Sequence, residues 1–410
     1  MSTHKIHVLS NGLRIVHERF KGNDIAHCGI TINVGTRNEA DNEWGIAHYI
    51  EHVLFKGTKT RKSFHILNRI EVVGGELNAY TTKEETCVYA SFPVQHFERA
   101  IELLSDIVNN SVFPEKELEK EKEVIIDEIN SYQDNPYEQI YDDFEEQLFA
   151  NHPLGHPILG TIDSVKKLKR EDILAFIKKH YKPEQIVFSS VGDVDFNKVV
   201  KLSEKYFGHL VNDGIEAINT KEQVKYLPRK INLKKDTHQA HCVIGNVAYS
   251  LSEEKRTGLL LLNNLLGGPG MNSRLNMSIR EKHGIAYNIY SNYTPYIDTG
   301  IFNIYIGTDN DNIEKSIKLT YKELRKLREE KLSVILLKQA KQQLVGQIAM
   351  AQESKASLML GFGKSMLTYN KVDTLKEVYQ KINALSAENL LEIANEVFDE
   401  GQMSMLLFEC

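Results

Sequence analysis

Near the start of the chain, apolar residues fall into two strand-like runs. Leu13-Arg14-Ile15-Val16 follows the turn-forming pair Asn11-Gly12, and Cys28-Gly29-Ile30-Thr31-Ile32-Asn33-Val34 ends at Gly35. Both patterns predict strands. Each strand group is followed by text with apolar residues three and four apart, which predicts helices. The stretch from Asn312 to Gln352 has this spacing throughout and predicts a long core-packing helix. Around residues 210 to 230, where Asn212-Asp213-Gly214 leads on to Pro228-Arg229-Lys230, sustained periodicity lapses. That lapse predicts a linker over 213–230, between an N-terminal domain of residues 1–212 and a C-terminal domain of residues 231–410.

The two parts share a mark. Ala26-His27-Cys28 opens a strand run in the first, and Ala240-His241-Cys242 opens one in the second. Aligning them sets His48, Glu51 and His52 opposite Leu262, Leu265 and Leu266. The second copy thus keeps an apolar helix and loses every metal-binding group, which predicts two related halves, one of them degenerate.

Composition narrows the class. With 410 residues, two to four compact units are expected. Hydrophobic residues at 41% and charged residues at 26% are ordinary for a globular protein and favour neither disorder nor a membrane span. Cys28, Cys87, Cys242 and Cys410 are scattered, which argues against a disulfide framework and for a reducing compartment. The N-terminus offers no apolar stretch of signal-peptide length, so the cytoplasm is the expected location. A net charge of -6 argues against nucleic acid as the main ligand.

Within Asp41-Asn42-Glu43-Trp44-Gly45-Ile46-Ala47-His48-Tyr49-Ile50-Glu51-His52-Val53-Leu54-Phe55-Lys56-Gly57, an Asx cap and a closing glycine predict about four turns of helix. His48, Glu51 and His52 then share one sector, while Ile46, Ile50, Val53 and Leu54 gather opposite. Two imidazoles at i and i+4 can reach one zinc ion from a rigid helix. A carboxylate beside them need not bind the metal; it can act as general base toward a water. This H-x-x-E-H order is the inverted zinc motif. A catalytic zinc needs a third protein ligand. The carboxylate-rich run from Glu115 to Glu128 supplies candidates, most of them suited to a solvated helix face. Glu121 and Glu128, two turns apart beside Val124, Ile125 and Ile129, both adjoin the apolar stripe, and local physics does not choose between them.

With these motifs in place, the sequence resembles the pitrilysin family of metallopeptidases, in particular its processing-peptidase-like branch. The resemblance runs through Leu9-Ser10-Asn11-Gly12-Leu13, the zinc motif, Gly74-Gly75-Glu76-Leu77-Asn78-Ala79 and Glu121 to Glu128. It continues in His152-Pro153-Leu154-Gly155-His156-Pro157, Ser273-Arg274-Leu275 and Arg280 to Tyr287. It implies an α+β fold of two homologous halves, each a largely antiparallel sheet flanked by helices, enclosing a chamber. It further implies one zinc ion per chain held by His48, His52 and Glu128, with Glu51 as general base and Glu121 as a supporting carboxylate. Asn78 and Ala79 match a segment that contacts the substrate backbone, and Arg280 and Tyr287 match a pair that binds substrate and stabilises the oxyanion. The glycine-rich text from Leu266 to Ser273 lacks the ending of a phosphate loop and is expected to form a turn.

The implied activity is zinc-dependent endopeptidase cleavage of short or unfolded peptides, by a homodimer. Two rivals are a non-catalytic partner or scaffold subunit of a heteromeric processing peptidase, and a zinc hydrolase acting on something other than peptides. A scaffold subunit usually lacks a ligand or the base, and this chain carries all of them.

Overall fold

Alternating apolar positions build six strands in the first unit of the computed structural model, which describes residues 4–212, 214 and 224–410. They are β1 (His4–Val8), β2 (Arg14–Arg19), β3 (Ile25–Ile32), β4 (Glu76–Thr81), β5 (Thr86–Pro93) and β6 (Ile186–Gly192). Their order is β1-β2-β6-β3-β5-β4, antiparallel except for the β2–β6 pair. The helices of this half of the chain are α1 (Ile46–Val53), α2 (Ser63–Glu71), α3 (Phe97–Asn110), α4 (Glu115–Gln133), α5 (Pro136–Leu148), α6 (Ile162–Lys167), α7 (Arg170–His180) and α8 (Phe196–Phe207). Side chains that alternate along the strands send Ile15, Cys28, Ile30 and Phe188 into a core with Ile46 and Ile50 of α1 and Ile101 and Leu104 of α3.

The second unit has five strands: β7 (Lys230–Lys234), β8 (Ala240–Ala248), β9 (Asn288–Pro295), β10 (Gly300–Thr308) and β11 (Ser404–Glu409). Their order is β7-β11-β8-β10-β9, with only β7–β11 parallel. Its half of the chain supplies α9 (Arg256–Gly267), α10 (Asn310–Glu329), α11 (Val334–Ala351), α12 (Lys355–Tyr369), α13 (Leu375–Ala384) and α14 (Ala387–Val397). The single helix expected from Asn312 to Gln352 is therefore two. The chain turns extended at Glu330, and Ser333 restarts it by accepting a hydrogen bond from the Leu336 amide.

Register demonstrates the repeat. In the first sheet Asn78 lies opposite Tyr89, and in the second Asn292 lies opposite Asn303. This pairing keeps the offset set by the two Ala-His-Cys marks, whereas the register of β8 on β10 is shifted by two residues from that of β3 on β5. The two halves are homologous, and β1 has no counterpart among the described strands.

Each unit also contains one helix from the other half of the chain. The first comprises residues 1–130, 156–220 and 351–374, and the second residues 131–155, 221–350 and 375–410. Residues 131–155, on the N-terminal side of the expected boundary, therefore lie in the second unit, and 351–374 in the first. Within the first unit, α12 covers the outer sheet face, packing Met359, Phe362 and Met366 on Val16, Val187 and Val191. Gly363 makes this approach possible, since a Cβ there would sit 2.3 Å from the Thr31 hydroxyl. Within the second unit, α5 lays Ile140, Phe144 and Leu148 on Val243, Ile301, Tyr305 and Phe408. There the space is made on the strand, where Gly245 faces the Phe144 ring. The expected linker, 213–230, falls largely outside the described residues.

Candidate metal centre

Helix α1 is shorter than its sequence suggests. Gly45 has φ +87°, a left-handed conformation that cannot continue a helix backward, so Asp41 is not the cap and the helix begins at Ile46. Its apolar side behaves as expected: Ile46, Ile50, Val53 and Leu54 are fully buried. On the other side His48 and His52 sit one turn apart, with ring centroids 4.6 Å from each other. The Tyr49 hydroxyl donates to the Leu118 carbonyl (2.7 Å), which ties α1 to α4.

That tie decides which carboxylate meets which imidazole. Glu128 Oε2 lies 3.4 Å from His52 Nε2 and 3.8 Å from His48 Nε2. Glu121 instead faces the opposite ring nitrogen, with Oε2 3.3 Å from His52 Nδ1, and its other oxygen is 2.6 Å from Lys56 Nζ. The two glutamates are separated along α4 and take different sides of one imidazole. Val124, which shares their neighbourhood in the sequence, is exposed, whereas Ile125 and Ile129 are buried.

His48, His52 and Glu128 each offer a ligand atom, all within 4.8 Å of one another, a set that can hold a metal ion. Bonds of about 2.0–2.1 Å in a tetrahedron place neighbouring ligand atoms roughly 3.3 Å apart, close to the shorter separation seen here. Burial, reinforced by the neighbouring His52, lowers the His48 pKa to about 3, so its imidazole is neutral near pH 7 and keeps a lone pair for a metal. Glu51, on the same helix, has a buried Oε2 that accepts no hydrogen bond. Burial is the largest influence on its carboxyl and raises the pKa above the usual carboxylate range.

The other sites expected from sequence are carried by other elements. Asn78 is exposed and Ala79 half-buried on β4, the edge strand of the first sheet, against which α1 packs. Arg280 and Tyr287 belong to the second unit. Arg280 is exposed on a π-helical turn, Asn276–Glu281, and Tyr287 is 56% exposed, with its hydroxyl 3.4 Å from Asp309 Oδ2. Leu266–Ser273 closes α9 and turns, with no phosphate-loop character.

Three neighbours were not apparent from sequence: Tyr49, Lys56 and Glu39. Tyr49 reads as a core aromatic, and Lys56 lies inside the motif without a local sign of its partner. Glu39 stands outside the helix text altogether, yet its carboxylate meets the first turn of α1.

Comparison with known proteins decides the family. Residues 14–162 match the model described as Insulinase (Peptidase family M16), and residues 167–344 match the Peptidase M16 inactive domain. An uncharacterized zinc protease YmxG of Bacillus subtilis is 33% identical over 403 residues, covering 98% of both chains. The chain belongs to peptidase family M16. An uncharacterized zinc protease of Rickettsia bellii is also 33% identical, over 97% of this chain and 96% of its own. A protease from Helicobacter pylori shares the fold, with TM-score 0.93 and 24% identity over 100% of both chains. The peptidase M16 inactive domain from Pseudomonas fluorescens does so at TM-score 0.91 and 19% identity, over 99% of this chain and 97% of that one. Membership accounts for the paired halves: the active-family model covers the half with His48 and His52, and the inactive-domain model the half with leucines. Among the described residues no helix is long and apolar enough to cross a membrane.

Proposed function

We propose that this M16 chain is a zinc-dependent endopeptidase acting on short or unfolded peptides. The observation that carries this reading is the convergence of His48, His52 and Glu128 beside Glu51, whose buried Oε2 accepts no hydrogen bond. Those three ligands would hold one zinc ion, which when bound polarises a carbonyl and readies a water for attack. Glu51 takes the proton from the attacking water and delivers it to the leaving amine, a task suited to a carboxyl with a raised pKa. Glu121, held by Lys56, accepts the Nδ1 proton of His52 and so leaves Nε2 free as the ligand atom.

Substrate adds as an extended strand along the free edge of β4, beside Asn78 and Ala79, so that main-chain hydrogen bonds supply affinity with little sequence selectivity. Arg280 and Tyr287 contribute donors for substrate and oxyanion. The working form is a cytoplasmic homodimer, since one chain carries both the zinc motif and the Arg/Tyr pair.

The test compares wild type with Glu51→Gln for metal content and for cleavage of a mixed library of short peptides. Wild type should bind about one zinc per chain and cut peptides. The variant should keep its zinc and lose activity by roughly 10²–10⁴-fold, the usual worth of a general base. Equal cleavage by both chains would refute the role of Glu51. A wild type that binds zinc and cuts nothing would favour a non-catalytic partner subunit.

A further inference from the structure

An eight-residue helix has little stability of its own, so its position is imposed by whatever grips its ends and its buried face. The buried face of α1 is apolar and resists rotation more than sliding. Its N-terminus carries amides without intrahelical partners, and Gly45, at the cap, has no side chain with which to satisfy them.

Glu39 supplies what is missing. Its side chain is buried, with Oε2 accepting from the Gly45 amide and Oε1 from the Ala47 amide, each at 2.9 Å. Ala47 is the residue before His48. The loop that carries Glu39 is itself pinned: the Thr36 and Arg37 amides donate to the Thr82 and Lys83 carbonyls, in the turn between β4 and β5. Gly45 is also pressed against Gly160, where a Cβ would lie 2.8 Å from the Gly45 Cα. Trp44, the only tryptophan in the chain, stacks on His156 with ring centroids 4.0 Å apart. The start of α1 is thus referenced to the turn that ends β4, through one carboxylate.

We propose that Glu39 is a positioning residue of the metal centre: by gripping the Gly45 and Ala47 amides it sets where α1 stands along its axis, and hence how His48 and Glu51 face Glu128. The inference rests on the zinc-peptidase reading above. Its physical basis is tolerance. Metal ligands must be placed within a few tenths of an ångström, and a catalytic base within about half an ångström. Two buried amides left without acceptors draw in water or unwind the first turn, and either change shifts His48 directly.

Glu39→Gln tests this while preserving shape, keeping one acceptor and turning an NH2 group toward the second amide. Glu39→Ala removes both acceptors. Glu43→Gln is the control: it removes a nearby half-buried carboxylate that accepts from the Ala40 amide and not from α1's Gly45 or Ala47 amides. The measurements are the zinc dissociation constant by competition with a chromogenic chelator, kcat and KM on a cleaved peptide, and acrylamide quenching of Trp44.

Glu39→Gln should weaken zinc binding about tenfold, within the range seen when supporting contacts of a metal site are lost. It should lower kcat with KM unchanged and expose Trp44 to quencher. Glu39→Ala should go further in each respect, and Glu43→Gln should match wild type. If Glu39→Gln binds zinc and turns over like wild type, even with reduced thermal stability, Glu39 is only a structural cap and the inference is overturned. A wild type that takes up no zinc would overturn the peptidase reading itself, which separates the two failures.

Discussion

Helices α1 and α9 occupy corresponding places in two homologous halves, yet only one carries chemistry. In α9 the positions opposite His48 and His52 are Leu262 and Leu266, both buried in the second unit's own core. In α1 the same positions hold imidazoles, with His48 buried and His52 partly open. Each helix packs against an edge strand of its own sheet, α1 on β4 and α9 on β9, so the metal centre is a change of a few side chains on a scaffold that recurs without them. What α1 has besides its motif is a set of supports: Glu39 at its start, Tyr49 to α4, and Lys56 on Glu121.

The sharpest way to break the comparison is to convert one copy toward the other. His48→Leu gives α1 the residue of α9. Zinc binding and peptide cleavage should be lost together, while the metal-free protein keeps its fold, as read by circular dichroism and thermal melting. Retention of wild-type zinc affinity would remove His48 from the site.

The reverse exchange, Leu266→His, should gain nothing. It buries a polar ring with no arranged partner and should cost about 1–3 kcal/mol of stability in chemical denaturation, with zinc stoichiometry unchanged. A second bound zinc would show that the degenerate half is closer to a metal site than its packing indicates.

A smaller effect separates buried histidines with and without a task. His180, on α7 against Phe176, has both ring nitrogens buried and unbonded, and burial lowers its pKa to about 4. The folded state therefore keeps it neutral while the unfolded chain takes up a proton below about pH 6.5. Stability should fall as pH drops from about 6.5 toward 4, because the unfolded state binds the extra proton there. His180→Leu should flatten that part of the stability profile without altering zinc content; an unchanged slope would show that His180 is not its source.

Much of the site's own helix could be read from spacing. The i, i+4 histidines with Glu51 between them fall on one face, and Ile46, Ile50, Val53 and Leu54 on the other, because helix periodicity is a local property. The start of α1 could not, since Asp41-Asn42 resembles a cap and only the backbone conformation of Gly45 rules it out. The division of roles between Glu121 and Glu128 also lay beyond local pattern. Seven residues of helix separate them by about 10 Å, and which one meets the histidines' Nε2 atoms depends on where α1 crosses α4. The two related halves were marked by three residues, and the β4–β5 and β9–β10 pairings extend that mark at the same offset. The exchanged helices α5 and α12 were not foreseeable, because an amphipathic helix shows which side it buries and not which sheet it buries it on.

The most direct test is anomalous diffraction from crystals of the zinc-loaded protein, collected on either side of the zinc absorption edge. One edge-dependent peak per chain is expected, bonded to the Nε2 atoms of His48 and His52 and to a Glu128 oxygen, with Glu121 outside the bonding distance. A peak bonded to Glu121 in place of Glu128, or no peak at these histidines, would contradict the assignment on which the proposed chemistry depends.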